Sequence, residues 1–141
     1  MLNIEREIAL LHVAAGVILR DGQLLLSKRH KHAHQGGLWE FPGGKLEVSE
    51  STEQALAREL REELGLVVRR AEPMMKVEHD YGDKKVLLDI WWVLDFDGEA
   101  SGREGQLVQW CALANLAELS FPVANQCIVD ELLRLKAAGE I

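Results

Sequence analysis

Residues 12–20 are apolar on both alternating faces, with Val13, Ala15, Val17 and Leu19 on one and Ala14, Gly16 and Ile18 on the other. A half-exposed strand alternates apolar with polar, so this pattern predicts a strand covered on both sides. Asp21-Gly22 supplies a tight hairpin turn into a partner strand at 23–29. The clearest strand is 86–96, where Val86, Leu88, Ile90, Trp92, Leu94 and Phe96 form one wholly apolar face and Asp89 and Asp95 interrupt the other, placing it near the centre of a sheet. Residues 78–81 precede a turn at Tyr81-Gly82-Asp83-Lys84 and are expected to pair with it as a hairpin. Shorter strands are predicted at 38–41, 65–75 and 106–112, with a loop rich in Gly and acid at 97–105.

Two segments change period. In Thr52–Leu64, Leu56, Ala57, Leu60 and Leu64 share a stripe at about 100° per residue. Ser51 with Gln54 three residues on marks the start of this helix, and Gly65 marks its end. The tail from Phe121 reads as a second helix with Pro122 in its first turn and Ile128, Val129, Leu132, Leu133 and Leu135 facing a core. Strands interrupted by two well-marked helices predict an α/β protein, a layered α/β/α domain. With 141 residues and no linker or internal repeat, residues 1–141 are expected to form one domain.

Composition narrows the partners. The chain is 48% hydrophobic and 28% charged, ordinary for a globular protein, and no apolar run approaches the ~18 residues of a membrane span. The start, Met1 to Glu7, lacks the basic and apolar regions of a secretory signal, and Cys111 and Cys127 suggest no disulfide framework; a cytoplasmic, reducing environment is the expectation. Both thiols read as small core residues. A net charge of −7 argues against a polymeric nucleic-acid partner, though not against a nucleotide accompanied by a cation. A small-molecule nucleotide substrate, no membrane partner and a monomeric state are the expectations.

The chemistry gathers on the first helix. Glu59, Glu62 and Glu63 fall in an arc beside the apolar stripe, and like charges three or four residues apart each destabilise a helix by about 0.2 to 0.5 kcal/mol. Hard divalent cations such as Mg²⁺, which take carboxylates together with phosphate oxygens, would offset that repulsion. The Gly43-Gly44 turn just before the helix lets a backbone carbonyl or a phosphate approach closely. The alternative is a solvated face in which Arg58 and Arg61 balance the glutamates. Upstream, Arg29 has the planar fork that grips phosphate oxygens. His30, His32 and His34 are spaced as alternate residues but lack the carboxylate or cysteine that would complete a metal site.

Gly44, Glu50, Arg58-Glu59-Leu60, Glu62-Glu63 and Gly65-Leu66 match G-x5-E-x7-R-E-U-x-E-E-x-G-U, where U is a bulky aliphatic, at every fixed position. Ordinary residue frequencies give that match a chance below about 10⁻⁸ per starting point. The chain thus resembles the Nudix hydrolases, which cleave nucleoside diphosphates linked to another moiety. The resemblance implies the Nudix fold, an α/β/α sandwich around a mixed β-sheet. Trp39-Glu40-Phe41-Pro42-Gly43-Gly44-Lys45, Gly102-Arg103-Glu104-Gly105-Gln106 and Phe121-Pro122-Val123-Ala124-Asn125 look like the MutT branch, whose activity removes 8-oxo-dGTP with water and Mg²⁺ or Mn²⁺.

The family pattern implies that the Gly43 carbonyl, Glu59, Glu62 and Glu63 are metal ligands and that Glu104 approaches the metals from outside the box. The base that deprotonates water stays open between Glu59 and Glu104, with Glu59 preferred; Arg58, on the side of the helix away from Glu63, is expected to orient the box acids rather than to hold phosphate, and Lys45 is placed in the catalytic set. Arg29 and His34 match positions that contact substrate, and Glu40, Phe41, Pro42 and Gly43 line the pocket. Asn125 is expected to read the base, although Asn is also a favoured helix N-cap. In 8-oxoguanine N7–H is a donor beside the O6 acceptor, and a carboxamide matches both; ordinary guanine presents two acceptors there.

Two other readings remain. The same box can serve CTP, modified pyrimidine nucleotides or ADP-ribose, since a pocket re-specialises through a few side chains. A non-catalytic binding domain, such as the lesion-reading domain of a DNA glycosylase, resembles this fold but has lost box glutamates that are present here.

Overall fold

The computed structural model describes residues 10–31 and 36–141. Along these residues run β1 (Leu10–Val17), β2 (Leu19–Arg20), β3 (Gln23–Lys28), β4 (Trp39–Glu40), β5 (Gly43–Lys45), α1 (Thr52–Leu64), β6 (Val67–Asp80), β7 (Lys85–Asp97), β8 (Val108–Ala112) and α2 (Gln126–Ala137). The two apolar faces of β1 are explained by what covers them. Ala14 and Ile18 pack with Ala55, Leu56 and Leu60 of α1, whereas Ala15 and Val17 share a core with Ile128, Val129 and Leu132 of α2. Helices thus lie on opposite faces of the sheet, the predicted α/β/α sandwich.

The sheet that carries β1 has the order β5-β1-β7-β6. β1 and β7 run parallel, and both outer strands are antiparallel to their neighbours, so the sheet is mixed as expected. A second, antiparallel sheet is built on β3, which pairs with β2, β4 and β8. The hairpin turn falls at Asp21-Gly22, both at positive φ. β7 lies inside its sheet, between β1 and β6, as its apolar pattern predicts.

The structure corrects several expectations, and Cys127, expected as a small core residue, is exposed. Residues 65–75 and 78–81 are not separate strands but parts of one, β6, which pairs with β7 from Val67 to Asp80. Pro73 sits inside this strand without breaking it because β6 is an edge strand and a proline needs no ladder partner on the open side. The apolar face of β7 is also not continuous. Register shifts leave Leu94 without a partner, so Leu94 is exposed, and Phe96 turns to the α1 side to join Val93. Finally, Pro122 does not occupy the first turn of α2; it precedes a short 3₁₀ turn at Val123–Asn125, and α2 begins at Gln126.

α1 starts and stops where its sequence says. Ser51 Oγ accepts from the Gln54 backbone N–H at 3.1 Å, and Gln54 Oε1 accepts from the Ser51 N–H at 2.9 Å, a complete capping box. Gly65 closes the helix in the left-handed conformation at φ 75°, which a glycine adopts without steric penalty. Leu56, Leu60 and Leu64 are fully buried together with Ala55; the stripe is centred one residue away from the expected one, and Ala57 is only half-buried. Each buried leucine contributes about 1.5–3 kcal/mol, so the acidic flank of the helix is held by its apolar neighbour.

Candidate active site

Two glycines bring the start of the motif against α1. A Cβ at Gly43 would collide with the Ala14 carbonyl oxygen of β1, and one at Gly44 with the carboxylate of Glu59. No side chain larger than hydrogen fits between β5 and either neighbour. The Glu59 carboxylate therefore lies against the backbone of the loop that leads into the helix.

Arg58 organises the remaining acids on that side. Its Nε and Nη2 donate to the two carboxylate oxygens of Glu50 at 2.7 and 2.9 Å, Nη1 donates to Glu59 at 2.8 Å, and Nη2 also donates to the Lys45 carbonyl at 3.0 Å. Glu62 lies 3.4 Å from Nη1. The paired guanidinium, helped by the Glu47 backbone N–H, lowers the Glu50 pKa to about 2, and the same bonds raise that of Arg58. The arginine thus hydrogen-bonds three acids and one carbonyl at once.

Glu63 has no such partner arrangement. Burial, and then the charges of Glu59, Glu40 and Glu104, push its pKa up to about 9. Like-charged neighbours of this kind favour the protonated form of Glu63 unless positive charge arrives among them. Their oxygens are hard donors of the kind that divalent cations select, so this donor set fits such an ion. Among the described residues no three His, Cys, Asp or Glu side chains are grouped so as to enclose one. Glu62 is 58% exposed, and Glu104 is exposed as well.

A cavity of about 350 Å³ runs past these groups. Glu63, Gly43, Gly44, Lys45, Asn125 and Ala124 line it, with Arg29, Glu40 and Phe41 also in its wall. Arg29 Nη1 donates to Glu40 at 2.6 Å; burial raises the Glu40 pKa against that pull. Asn125 is half-buried and its side chain caps no helix N–H, which leaves the carboxamide to the cavity rather than to α2. A second cleft of about 220 Å³ shares Arg29, Glu40 and Glu63 with the first and adds Glu104 and Gln106.

Not every expected residue lines these spaces. Pro42 is buried, with its carbonyl accepting from the Gly16 N–H at 2.8 Å. Arg58, Glu59 and Glu62 line neither space. His32 and His34 lie outside the described residues, and with them the predicted substrate contact of His34. Conversely, Tyr81 and Lys84, on the β6–β7 turn, and Leu11 and Val13 of β1 face the cavity without having been anticipated. Nothing local marks them; only the parallel pairing of β1 with β7 brings them to the same mouth.

Asp89 was expected only as an interruption of an apolar strand. It is buried, and its two oxygens accept from His12 Nε2, Thr52 Oγ1 and Trp91 Nε1, each at 2.9 Å. Thr52 is the first residue of α1, so this carboxylate ties two central strands to the start of the helix that carries the acids.

A profile of the NUDIX domain matches residues 14–131, and the chain belongs to this family, the Nudix hydrolases. Members of the family generally use divalent metal ions. The chain is 36% identical over 126 residues to the 8-oxo-dGTP diphosphatase of Escherichia coli (strain K12), covering 89% of this chain and 98% of that protein. It is also 36% identical over 129 residues to the CTP pyrophosphohydrolase of the same organism, covering 92% and 96%. Among solved structures, MutT from a study of Aliivibrio salmonicida and Vibrio cholerae superposes with a TM-score of 0.81 at 38% identity, covering 89% of this chain and 98% of that one. No helix among the described residues is long and apolar enough to cross a membrane.

Proposed function

We propose that this protein hydrolyses purine nucleoside triphosphates that carry an oxidised base, 8-oxo-dGTP foremost, to the monophosphate and pyrophosphate. Removing such a nucleotide from the pool keeps it from being copied into DNA. The observation that carries this reading is a single cavity lined both by Asn125 and by Glu63, Gly43 and Gly44. A carboxamide able to pair with N7–H and O6 then shares a cleft with the acids, and a nucleotide spans the two.

Glu59, Glu62, Glu63, Glu104 and the Gly43 carbonyl would hold Mg²⁺ or Mn²⁺, which when bound acidifies water and neutralises phosphoryl charge. Glu59 takes the proton from the attacking water, a P–O bond forms, and the phosphoanhydride bond breaks to release pyrophosphate. Arg58 keeps Glu59 in place through its 2.8 Å bond. Arg29, a planar donor at the cavity wall, meets phosphate oxygens.

The similarity to a CTP pyrophosphohydrolase supports a second reading, in which the same box serves a pyrimidine nucleotide. Turnover of 8-oxo-dGTP, dGTP, CTP and ADP-ribose with Mg²⁺ in ¹⁸O-water separates the two. Highest kcat/KM on 8-oxo-dGTP is expected, with the label in one product revealing which phosphorus is attacked. Highest kcat/KM on CTP overturns the oxidised-purine reading, and activity on none of the four overturns hydrolysis of nucleotides altogether.

A further inference from the structure

A helix ends with carbonyls that lack intrahelical partners. At the end of α1 the segment 101–106 supplies donors to them. The Leu64 carbonyl accepts from the Ser101 N–H at 3.1 Å, and the Glu63 carbonyl accepts both from the Arg103 N–H at 2.9 Å and from Gln106 Nε2 at 3.3 Å. Glu104 thus lies between two residues hooked to the same carbonyl, that of Glu63. The other end of the Gln106 carboxamide turns back on the loop, where Oε1 accepts from the Glu104 N–H at 3.0 Å. Gly105 N–H donates to the Gly102 carbonyl at 3.1 Å, which closes the turn around Glu104. Gln106 is half-buried and shares the smaller cleft with Glu63 and Glu104.

We infer that Gln106 is a positioning residue, whose carboxamide sets the Glu104 carboxylate opposite Glu63 by bonding the backbone of both acids at once. The chemistry asks for a carboxamide. One end must donate to a carbonyl and the other must accept from an N–H, and no aliphatic or carboxylate side chain of this length does both. Without it Arg103 still holds one side of the loop, but Glu104 swings on a backbone whose N–H is free. An acid on an untethered loop samples many positions, and catalysis is sensitive to displacements on the order of 1 Å. Because the role assigned to Glu104 rests on the proposed hydrolysis, the tether and the reaction need separate tests.

The tether is read on the metal-free protein by amide hydrogen exchange in Gln106→Leu. Exchange at the Glu104 N–H is expected to accelerate about tenfold, the loss of one hydrogen bond, while the Arg103 N–H stays within about twofold of wild type. Unchanged protection at Glu104 overturns the inference. Turnover supplies the second arm. Gln106→Leu is expected to lower kcat about tenfold with KM held within about twofold, and adding Glu104→Gln is expected to cause little further loss. If Glu104→Gln lowers kcat by the same factor with and without Gln106, the amide does not act through Glu104 and the assignment fails. Gln106→Ala, smaller and without the apolar branch, repeats both readouts should the leucine disturb folding. A wild-type protein that hydrolyses none of the four nucleotides removes the catalytic half of the inference together with the proposed function, while exchange still decides whether Gln106 holds the loop.

Discussion

Arg58 grips Glu50 with two parallel hydrogen bonds, Nε to one oxygen at 2.7 Å and Nη2 to the other at 2.9 Å. Planar, two-point pairing of this kind fixes orientation as well as distance, and lysine cannot reproduce it. The same guanidinium reaches Glu59 and the Lys45 carbonyl, so the loop before α1 and the acids on α1 are held by one side chain. Arg58→Lys is expected to lower kcat about a hundredfold by releasing Glu59, with KM little changed. Steady-state kinetics beside a thermal melt check this; a near-normal kcat would remove Arg58 from the machinery.

Acid titration should register the same pair. The Glu50 pKa is lowered from 4.5 to about 2, so its contribution to stability is complete above pH 4.5 and disappears as pH falls through about 2. The stability difference between wild type and Glu50→Gln is therefore expected to be level above pH 4.5 and to shrink below it. Chemical unfolding at several pH values measures that difference, and a gap that widens on acidification contradicts the assigned partner.

Glu63 carries the opposite sign. With its pKa raised from 4.5 to about 9, the metal-free fold binds a proton that the unfolded chain has already released, so stability is greatest below pH 4.5 and falls as pH rises toward 9. In the presence of a chelator, melting temperature should decline across that window in wild type and decline less in Glu63→Gln. Mg²⁺ binding at neutral pH is expected to release about one proton, read by calorimetry in buffers of different ionisation enthalpy. Binding without proton release would show that Glu63 is not where the ion sits.

Neighbouring glycines should fail in different ways. A side chain at Gly43 runs into the Ala14 backbone, which cannot move without β1, whereas one at Gly44 meets the flexible end of Glu59. Gly43→Ala is expected to fold poorly. Gly44→Ala is expected to remain folded with kcat reduced about a hundredfold through displacement of Glu59. Melts and kinetics on the two variants test the contrast, which is lost if both keep their activity.

Asn125→Ala is expected to lower the preference for 8-oxo-dGTP over dGTP by about ten- to hundredfold, the discrimination available from one mispaired buried acceptor. Because the Asn125 side chain caps no helix N–H, α2 should not notice the change. An unaltered ratio of kcat/KM for the two nucleotides, or a large fall in melting temperature, would each contradict this reading.

Asp89 yields a prediction about stability alone. Its removal leaves three donors, on His12, Thr52 and Trp91, without their acceptor in a buried place. Asp89→Ala is expected to destabilise the fold by about 1–3 kcal/mol. Urea unfolding measures it, and a loss within experimental scatter would mean that water satisfies those donors instead.

What could be read along the chain was local. The limits of Thr52–Leu64 follow from a capping box and a left-handed glycine, interactions between near neighbours in the chain, and the two covered faces of β1 follow from alternation alone. The acids of α1 are spaced by the helix period, so Glu59, Glu62 and Glu63 share a flank whatever the rest of the chain does. The bulge that exposes Leu94 and the survival of Pro73 inside β6 were not legible, because register depends on the partner strand and an edge depends on its place in the sheet. Asn125 shows the same limit: its residue type suits a helix cap, and only the packing of α2 beside β1 and β7 leaves it facing a cavity. The sequence by itself determined which groups could do chemistry and on which elements they ride. Tertiary structure decided which of them meet, since the raised pKa of Glu63 comes from burial and from Glu40 and Glu104, charges more than twenty residues away along the chain, as well as from Glu59 on its own helix.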